Sequence, residues 1–518
     1  MLSLVWFGRA KWRTGSKTRA GSAAWAQRRR RTDFSRAWWL GALALASACG
    51  ADRTARPSQD PGWRDGIALA QPIDLNPDPH VLEVDLQAVP TSMNITGAAA
   101  TPVWTYNGTT PGPLLRAKAG DQMVVHFSNA LPEDTSVHWH GIRLPAAMDG
   151  VPGHTQPPVH PGGSFDYSFV LPDEGLFWYH PHADSAAQVG YGLYGAILVD
   201  PADAETSAPS ALDRAQLGDE VVLVLSDMGI EADGSLAPPL TEPDDGTRAL
   251  LMGQEGNVLL VNGRVRPTLG ARSGLRQRWR IVNTAKSRYY QLALAGHQFT
   301  RIGSDGGFLQ APEAPADSVV VIPAGRVDVL VTPVGDPGGV LAVQYVPYDR
   351  GFGTAFEGPP QDLFYVALSA QPTVTEGDCP LPAQLRVIAP LDTTLATPRA
   401  IDLTLDASTG RVVMGINGVP AWNAVPFPAA ADTTELWTIT NTVNFNHPFH
   451  LHGFFFQPLD PVTGAPLPSP EWRDTIDVPP LGTTRFAVQY DDRLGMWMFH
   501  CHILDHADDG MMGMLLLQ

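Results

Sequence analysis

A unit that recurs three times at domain-sized spacing constrains this chain more than any other feature. The first copy holds Tyr106-Asn107-Gly108, then Gly120-Asp121 and the run Val124-Val125-His126-Phe127, and it closes on Asn129. The second holds Val261-Asn262-Gly263 and Trp279-Arg280-Ile281-Val282-Asn283, the third Ile416-Asn417-Gly418 and Leu436-Trp437-Thr438-Ile439-Thr440-Asn441. Each joins an Asn-Gly turn, a Pro-bearing stretch and an alternating strand that ends on Asn. Alternation is the pattern of a strand with one buried face. So long a period means repeated domains and not solenoid repeats. Gly (50) and Pro (47) are abundant without a short period, which fits many turns between strands, and 44% hydrophobic residues suffice for packed cores. The expected class is all-β, with three β-sandwiches in tandem.

Composition sets the joints. Residues 1–49 read as a targeting segment and 50–74 as a linker, followed by domains at 75–205, 215–370 and 385–518. In the targeting segment Arg28 to Arg31 precede an apolar run from Ala37 to Ala48. That run is too short to span a bilayer but suits a signal peptide. Ala46-Ser47-Ala48-Cys49 resembles a bacterial lipobox. The expectation is export to the periplasm or cell envelope as a lipoprotein anchored through Cys49, by either the Sec or the twin-arginine route. The formal net charge is −18, and without the ten basic residues and one acidic residue before Cys49 it falls to −27. Such a surface repels nucleic acid and anionic lipid, while it tolerates cationic metal substrates. Three cysteines, at 49, 379 and 501, cannot build a disulfide framework.

Chemistry concentrates in four clusters, two in the first domain and two in the third. They are His138-Trp139-His140-Gly141, Trp178-Tyr179-His180-Pro181-His182, His447-Pro448-Phe449-His450-Leu451-His452-Gly453, and His500-Cys501-His502 with His506 and Met511. They take ten of the fifteen histidines, and the middle domain holds only His297. On a strand, residues i and i+2 share a face, so each H-x-H pair projects two imidazoles together. Four pairs from two docked domains would surround one cavity with eight imidazoles, enough for three copper ions. Cys501, His506 and Met511, with His447 as second imidazole, make the thiolate, imidazole and thioether set of a blue-copper site. His500 and His502 point away from the Cys501 side of their strand, so the thiolate is wired to them through a few covalent bonds.

These motifs, in this order, resemble the signatures of the multicopper oxidase family, the laccases and their bacterial relatives, from about residue 80 onward. The resemblance implies three cupredoxin-like Greek-key domains and four copper ions: one type 1, one type 2 and a type 3 pair. By position, the type 1 ion would take His447, Cys501 and His506 with Met511 axial. The type 2 ion would take His138 and His450. The type 3 pair would take His140, His180, His182, His452, His500 and His502. Asp149 aligns with an acidic residue that assists protonation of reduced oxygen in bacterial relatives; the competing reading is an ordinary Asp-Gly turn. Several relatives carry Glu after the last type 1 histidine, where this chain has Ala507, which moves that part of a proton relay to Asp505 or Asp508 or removes it. Tyr348-Asp349-Arg350-Gly351 resembles a loop near the type 1 site and is expected to be a turn with a local ion pair. His80, His126, His154, His160 and His297 are expected to be structural.

The implied function is laccase-like: one-electron oxidation of phenols or aromatic amines coupled to reduction of O2 to water, by a monomer with small-molecule partners. A metallo-oxidase acting on Cu(I), Fe(II) or Mn(II) is the alternative. The lack of a Met-rich insertion disfavours a specialised cuprous oxidase. A non-catalytic copper-binding protein would have lost ligands, and here every ligand position is filled.

Overall fold

The computed structural model describes residues 58–202, 217–239, 247–354, 358–375, 380–408 and 412–518. The targeting segment, Cys49 and Cys379 lie outside them. Among the described residues no helix is long and apolar enough to cross a membrane.

Among the described residues the strands form six sheets, two in each of three stretches of chain. Residues 81–200 carry two four-stranded sheets, 219–368 a six-stranded and a five-stranded sheet, and 397–517 two five-stranded sheets. The three-fold recurrence is physical. In every unit the first strand runs parallel to the strand that closes on Asn: Val81–Met93 beside Gln122–Asn129, Asp219–Met228 beside Gln277–Asn283, Thr397–Asp406 beside Thr434–Asn441. The three Asn-Gly pairs are two-residue hairpin turns with positive φ at both positions, such as Asn107 (54°) and Gly108 (79°). That conformation matches strand twist and selects Asn and Gly. Each turn Asn also reaches sideways, so Asn107, Asn262 and Asn417 accept from the backbone N–H of Gln87, Val224 and Asp402 at 2.7, 2.6 and 2.7 Å.

The Asn that ends each long strand clamps the loop that follows. Asn129 donates to the carbonyls of Glu133 and Val159, Asn283 to those of Arg288 and Val321, and Asn441 to those of Phe445 and Val478. Their carboxamide oxygens accept from Leu131, Ala285 and Val443. In the first and third units the clamped loop leads directly into a histidine strand. A single apolar cluster, with Trp139, Tyr179, Trp437 and Trp497 at 0% exposure, runs through both of those units, so the site between them has stiff walls.

Replacing Asn441 by Ala should strand the Val443 N–H and the carbonyls it serves, at a cost of about 2 kcal/mol. Thermal unfolding of Asn441→Ala, followed by circular dichroism, should start several degrees earlier. An unchanged midpoint would refute the clamp.

Candidate metal centre

The histidines sit where strand register makes them face one another. His138 pairs with His180 across the antiparallel strands His138–His140 and Gly175–His180. His450 pairs with His500 across His447–Leu451 and Gly495–Cys501. The rings that the two pairs of strands carry interleave. His138 stacks on His452 with centroids 4.0 Å apart, and His140 stacks on His450 at 3.8 Å. His182 lies 5.3 Å from His500, and His180 lies 5.5 Å from His502. All eight rings share one buried space.

In most of the rings the nitrogen that is not turned inward is tied. His138 Nδ1 donates to the Asp149 carbonyl at 2.7 Å, His180 Nδ1 to the Pro181 carbonyl at 2.9 Å, His450 Nδ1 to the Asp474 carbonyl at 2.9 Å, and His500 Nδ1 to the Cys501 carbonyl at 2.8 Å. His452 Nδ1 donates to the Asp149 carboxylate at 2.8 Å. The bare Nε2 atoms of His452 and His500 then face each other at 3.2 Å. Two lone pairs in that position repel unless a cation lies between or beside them. The Nε2 atoms of His138, His180, His182 and His450, Nδ1 of His140 and both nitrogens of His502 are buried without a partner. Orphaned nitrogens in such number fit metal ligation, and imidazole suits copper.

The second group is separate. His447 Nδ1 and His506 Nδ1 lie 3.4 and 3.7 Å from Cys501 Sγ and 3.3 Å from each other. Their second nitrogens are buried and unpartnered. A short helix, Leu504–Asp508, turns His506 back towards the strand end. Met511 is fully buried and its carbonyl accepts from the Cys501 N–H at 3.1 Å. Phe445 contacts both rings, at 4.9 Å from His447 and 5.7 Å from His506, and Phe352 stacks behind it.

Burial keeps His140, His180, His450, His452, His500, His502 and His506 below the ordinary imidazole range, and His182 and His447 at about 3. All are neutral imidazoles at neutral pH. Burial also pushes the Cys501 thiol up, so a metal must displace its proton.

Three carboxylates are accounted for. Asp149 is opposed by burial, but His452 and His138 outweigh it and hold its carboxyl well below the usual range. It is a ligand-orienting group whatever else it does. Asp505 binds Lys286 Nζ at 3.0 Å and the Gln254 N–H, while Asp508 accepts from the Ala186 N–H at 2.7 Å. The Tyr348–Gly351 loop departs from expectation. Arg350 is buried and its partner is Glu255 at 3.0 Å, 95 residues away, while Asp349 caps the N–H groups of Gly351 and Gly353. Four histidines outside the motifs have ordinary partners: His80 with Asp121, His126 with Glu83 and Asp166, His160 with Asp134, and His297 with Val334. His154 is exposed.

Sequence reasoning missed Asp474 and Arg326. Asp474 Oδ1 lies 3.3 Å from His140 Nε2, which leaves His140 to turn its Nδ1 inward. Arg326, from the middle unit, grips both Asp474 oxygens and sends its other N–H groups to the carbonyls of Leu176, Ala324 and Asp305. All five guanidinium donors are used, on acceptors from all three units. The usable signal was Gly141: a Cβ there would come within 2.5 Å of Arg326 Nη2 and 2.7 Å of Asp474 Oδ2.

Two outcomes follow. Arg326→Lys keeps the charge but loses the fork, and it should weaken copper retention at the eight-histidine site by about 10–100-fold in chelator competition. Unaltered retention would remove Arg326 from the site. Unfolding returns the buried rings to their ordinary affinity for protons, so the unfolded chain binds more of them below about pH 6.5. Stability of the copper-free chain is therefore fully present above that pH and should fall steadily below it in thermal scans. A flat midpoint down to about pH 4 would contradict the burial argument.

Residues 87–204, 219–345 and 392–518 each match a sequence model described as multicopper oxidase. Over 433 residues the chain is 32% identical to the multicopper oxidase MmcO of Mycobacterium tuberculosis, covering 79% of this chain and 81% of that protein. It is 32% identical over 461 residues to Laccase-1 of Botryotinia fuckeliana, covering 79% and 77%. Among solved structures, a multicopper oxidase of Campylobacter jejuni described as a metallo-oxidase superposes with a TM-score of 0.74 at 26% identity, covering 90% of this chain and 98% of that one.

Proposed function

Because this chain belongs to the multicopper oxidase family and is thereby a copper-binding oxidoreductase, we propose that it is laccase-like, taking single electrons from phenolic or aromatic reductants to reduce O2 to water. The reading assigns His447, Cys501 and His506, with Met511 axial, to a type 1 ion. His138 and His450 hold a type 2 ion, and His140, His180, His182, His452, His500 and His502 a type 3 pair. Four copper ions so held would supply one-electron acceptance at the first site and O2 reduction at the other three. The reading takes 75–205, 215–370 and 385–518 as its three domains and gives the middle one no copper ligand.

The chain's own contribution is organisation. Cys501 lies between His500 and His502 in sequence, so a single peptide strand joins the electron-accepting side to the O2 side. Tied second nitrogens fix most of the eight clustered rings before metal arrives, which lowers the reorganisation that ligand exchange would otherwise need. Asp149, kept ionised and bonded to His452, is placed to relay protons towards the O2 site, not to store one.

The observation that carries the phenolic reading is the wall beside the thiolate site. Phe445 touches both imidazoles and Phe352 backs it, while Leu251 and Met252 pack on the same cluster. The surrounding carboxylates are committed: Asp477 to Tyr289 and Asn446, Asp349 to two backbone N–H groups, Glu255 to Arg288 and Arg350. An aromatic reductant suits the half-buried edge that Phe352 and Leu251 offer better than a hydrated cation does. Export and a lipid on Cys49 rest on the sequence, and a monomer completes the proposal.

Oxygen uptake by the copper-loaded mature protein decides it. A methoxyphenol should drive uptake faster than Cu(I) under matched conditions, and Cys501→Ser should abolish both the blue absorption and the phenol-driven uptake. Uptake with Cu(I) alone would turn the assignment to metallo-oxidase. None with either, at full copper occupancy, would end the oxidase reading.

A further inference from the structure

The hairpin Gly495–Cys501 and Met512–Leu517 has two unlike faces. Register sets Met498 opposite Met514, His500 opposite Met512 and Met496 opposite Leu516. Because side chains alternate, Met496, Met498 and His500 share a face with Met512 and Met514. Trp497, Phe499, Cys501 and Leu515 fill the apolar cluster on the other face. Met498 and Met514 are 5% and 7% exposed and form a small cluster with Val151, against which Met496 and Met512 are half-buried. Four of the chain's twelve methionines thus occupy one patch.

That patch lies between units. Val151 follows Asp149 in the first unit, and Ala146 of the same segment lies so close to Gly495 that an added Cβ would come within 2.8 Å of it. His500 stands at the inner end of the methionine face and Leu516, 37% exposed, at the outer end. The thioethers therefore line a seam that runs from the surface to a cluster histidine.

Plain packing does not ask for methionine here, since the opposite face of the same hairpin is filled by Leu and aromatic side chains. A thioether is a soft, uncharged donor on a flexible stem, and soft donors select Cu(I). We propose that the Met496, Met498, Met512 and Met514 face acquires Cu(I) and passes it along the seam to His500 and the other cluster histidines. The inference rests on the reading that those histidines hold copper. The transfer is ligand exchange: copper–sulfur bonds break as copper–nitrogen bonds form, and nothing is oxidised.

The test starts from the copper-loaded full chain, titrated anaerobically with Cu(I) against a colorimetric Cu(I) chelator. The chain should bind a further cuprous ion whose X-ray absorption shows sulfur neighbours. M496L/M498L/M512L/M514L should lose that ion while keeping its other copper and its blue absorption, since Met and Leu are close in volume. Should the fourfold variant misfold, M496L/M512L changes only the half-buried pair and should weaken the extra ion by about tenfold. Copper-stripped wild type should also refill from Cu(I) about tenfold faster than the variant and reach the same final content. No extra ion in the wild type, an undiminished one in the variants, or equal refilling rates would each overturn the proposal. A chain whose histidines never take copper would fail earlier, at the loading step, and would sink the oxidase reading instead.

Discussion

The imidazoles of His138 and His140 lie face to face with those of His452 and His450, and the architecture is arranged around keeping them there. Burying eight rings with inward nitrogens unpartnered is costly for any fold. The cost is held down because each outward nitrogen that has a partner finds a main-chain carbonyl or a buried carboxylate. The strand-ending Asn129 and Asn441 clamp the loops that lead into two of the histidine strands. Apolar packing does the rest, through one cluster continuous across the first and third units.

The middle unit takes part without offering a ligand. Its Arg326 closes a chain of contacts from Asp305 through Asp474 to His140. Burial opposes the charge on Asp474, yet Arg326 outweighs it and holds that carboxyl well below the usual range. Asp474 thereby remains an anion that orients a ring. Counting histidines assigns this unit to a spacer role, whereas the geometry makes it the third wall of the site.

Much of this was legible in the chain. Asn-Gly and strand-closing Asn are local signals whose physics is the same wherever they occur, so the three sandwiches could be read from them. The H-x-H pairs and the Cys501 cluster also carry their meaning in spacing alone. What escaped was non-local. Arg326 and Asp474 sit in ordinary strand-edge sequence, and only the close approach at Gly141 betrays them. Arg350 read as a turn residue because its partner Glu255 lies far off in sequence. The methionine face was hidden for the same reason: Met496 and Met498 meet Met512 and Met514 only through hairpin register.

Sequence distance has one more consequence. His140 and Asp474 meet across 334 residues, and Asp149 and His452 across 303. Contacts with such separation form late, because the intervening chain must close first. A ribosome-bound chain that has reached only the middle unit carries the first two histidine pairs but none of their counterparts. The shared space between the rings therefore closes only when the last strands have docked, so the order of synthesis and the order of site assembly are forced apart.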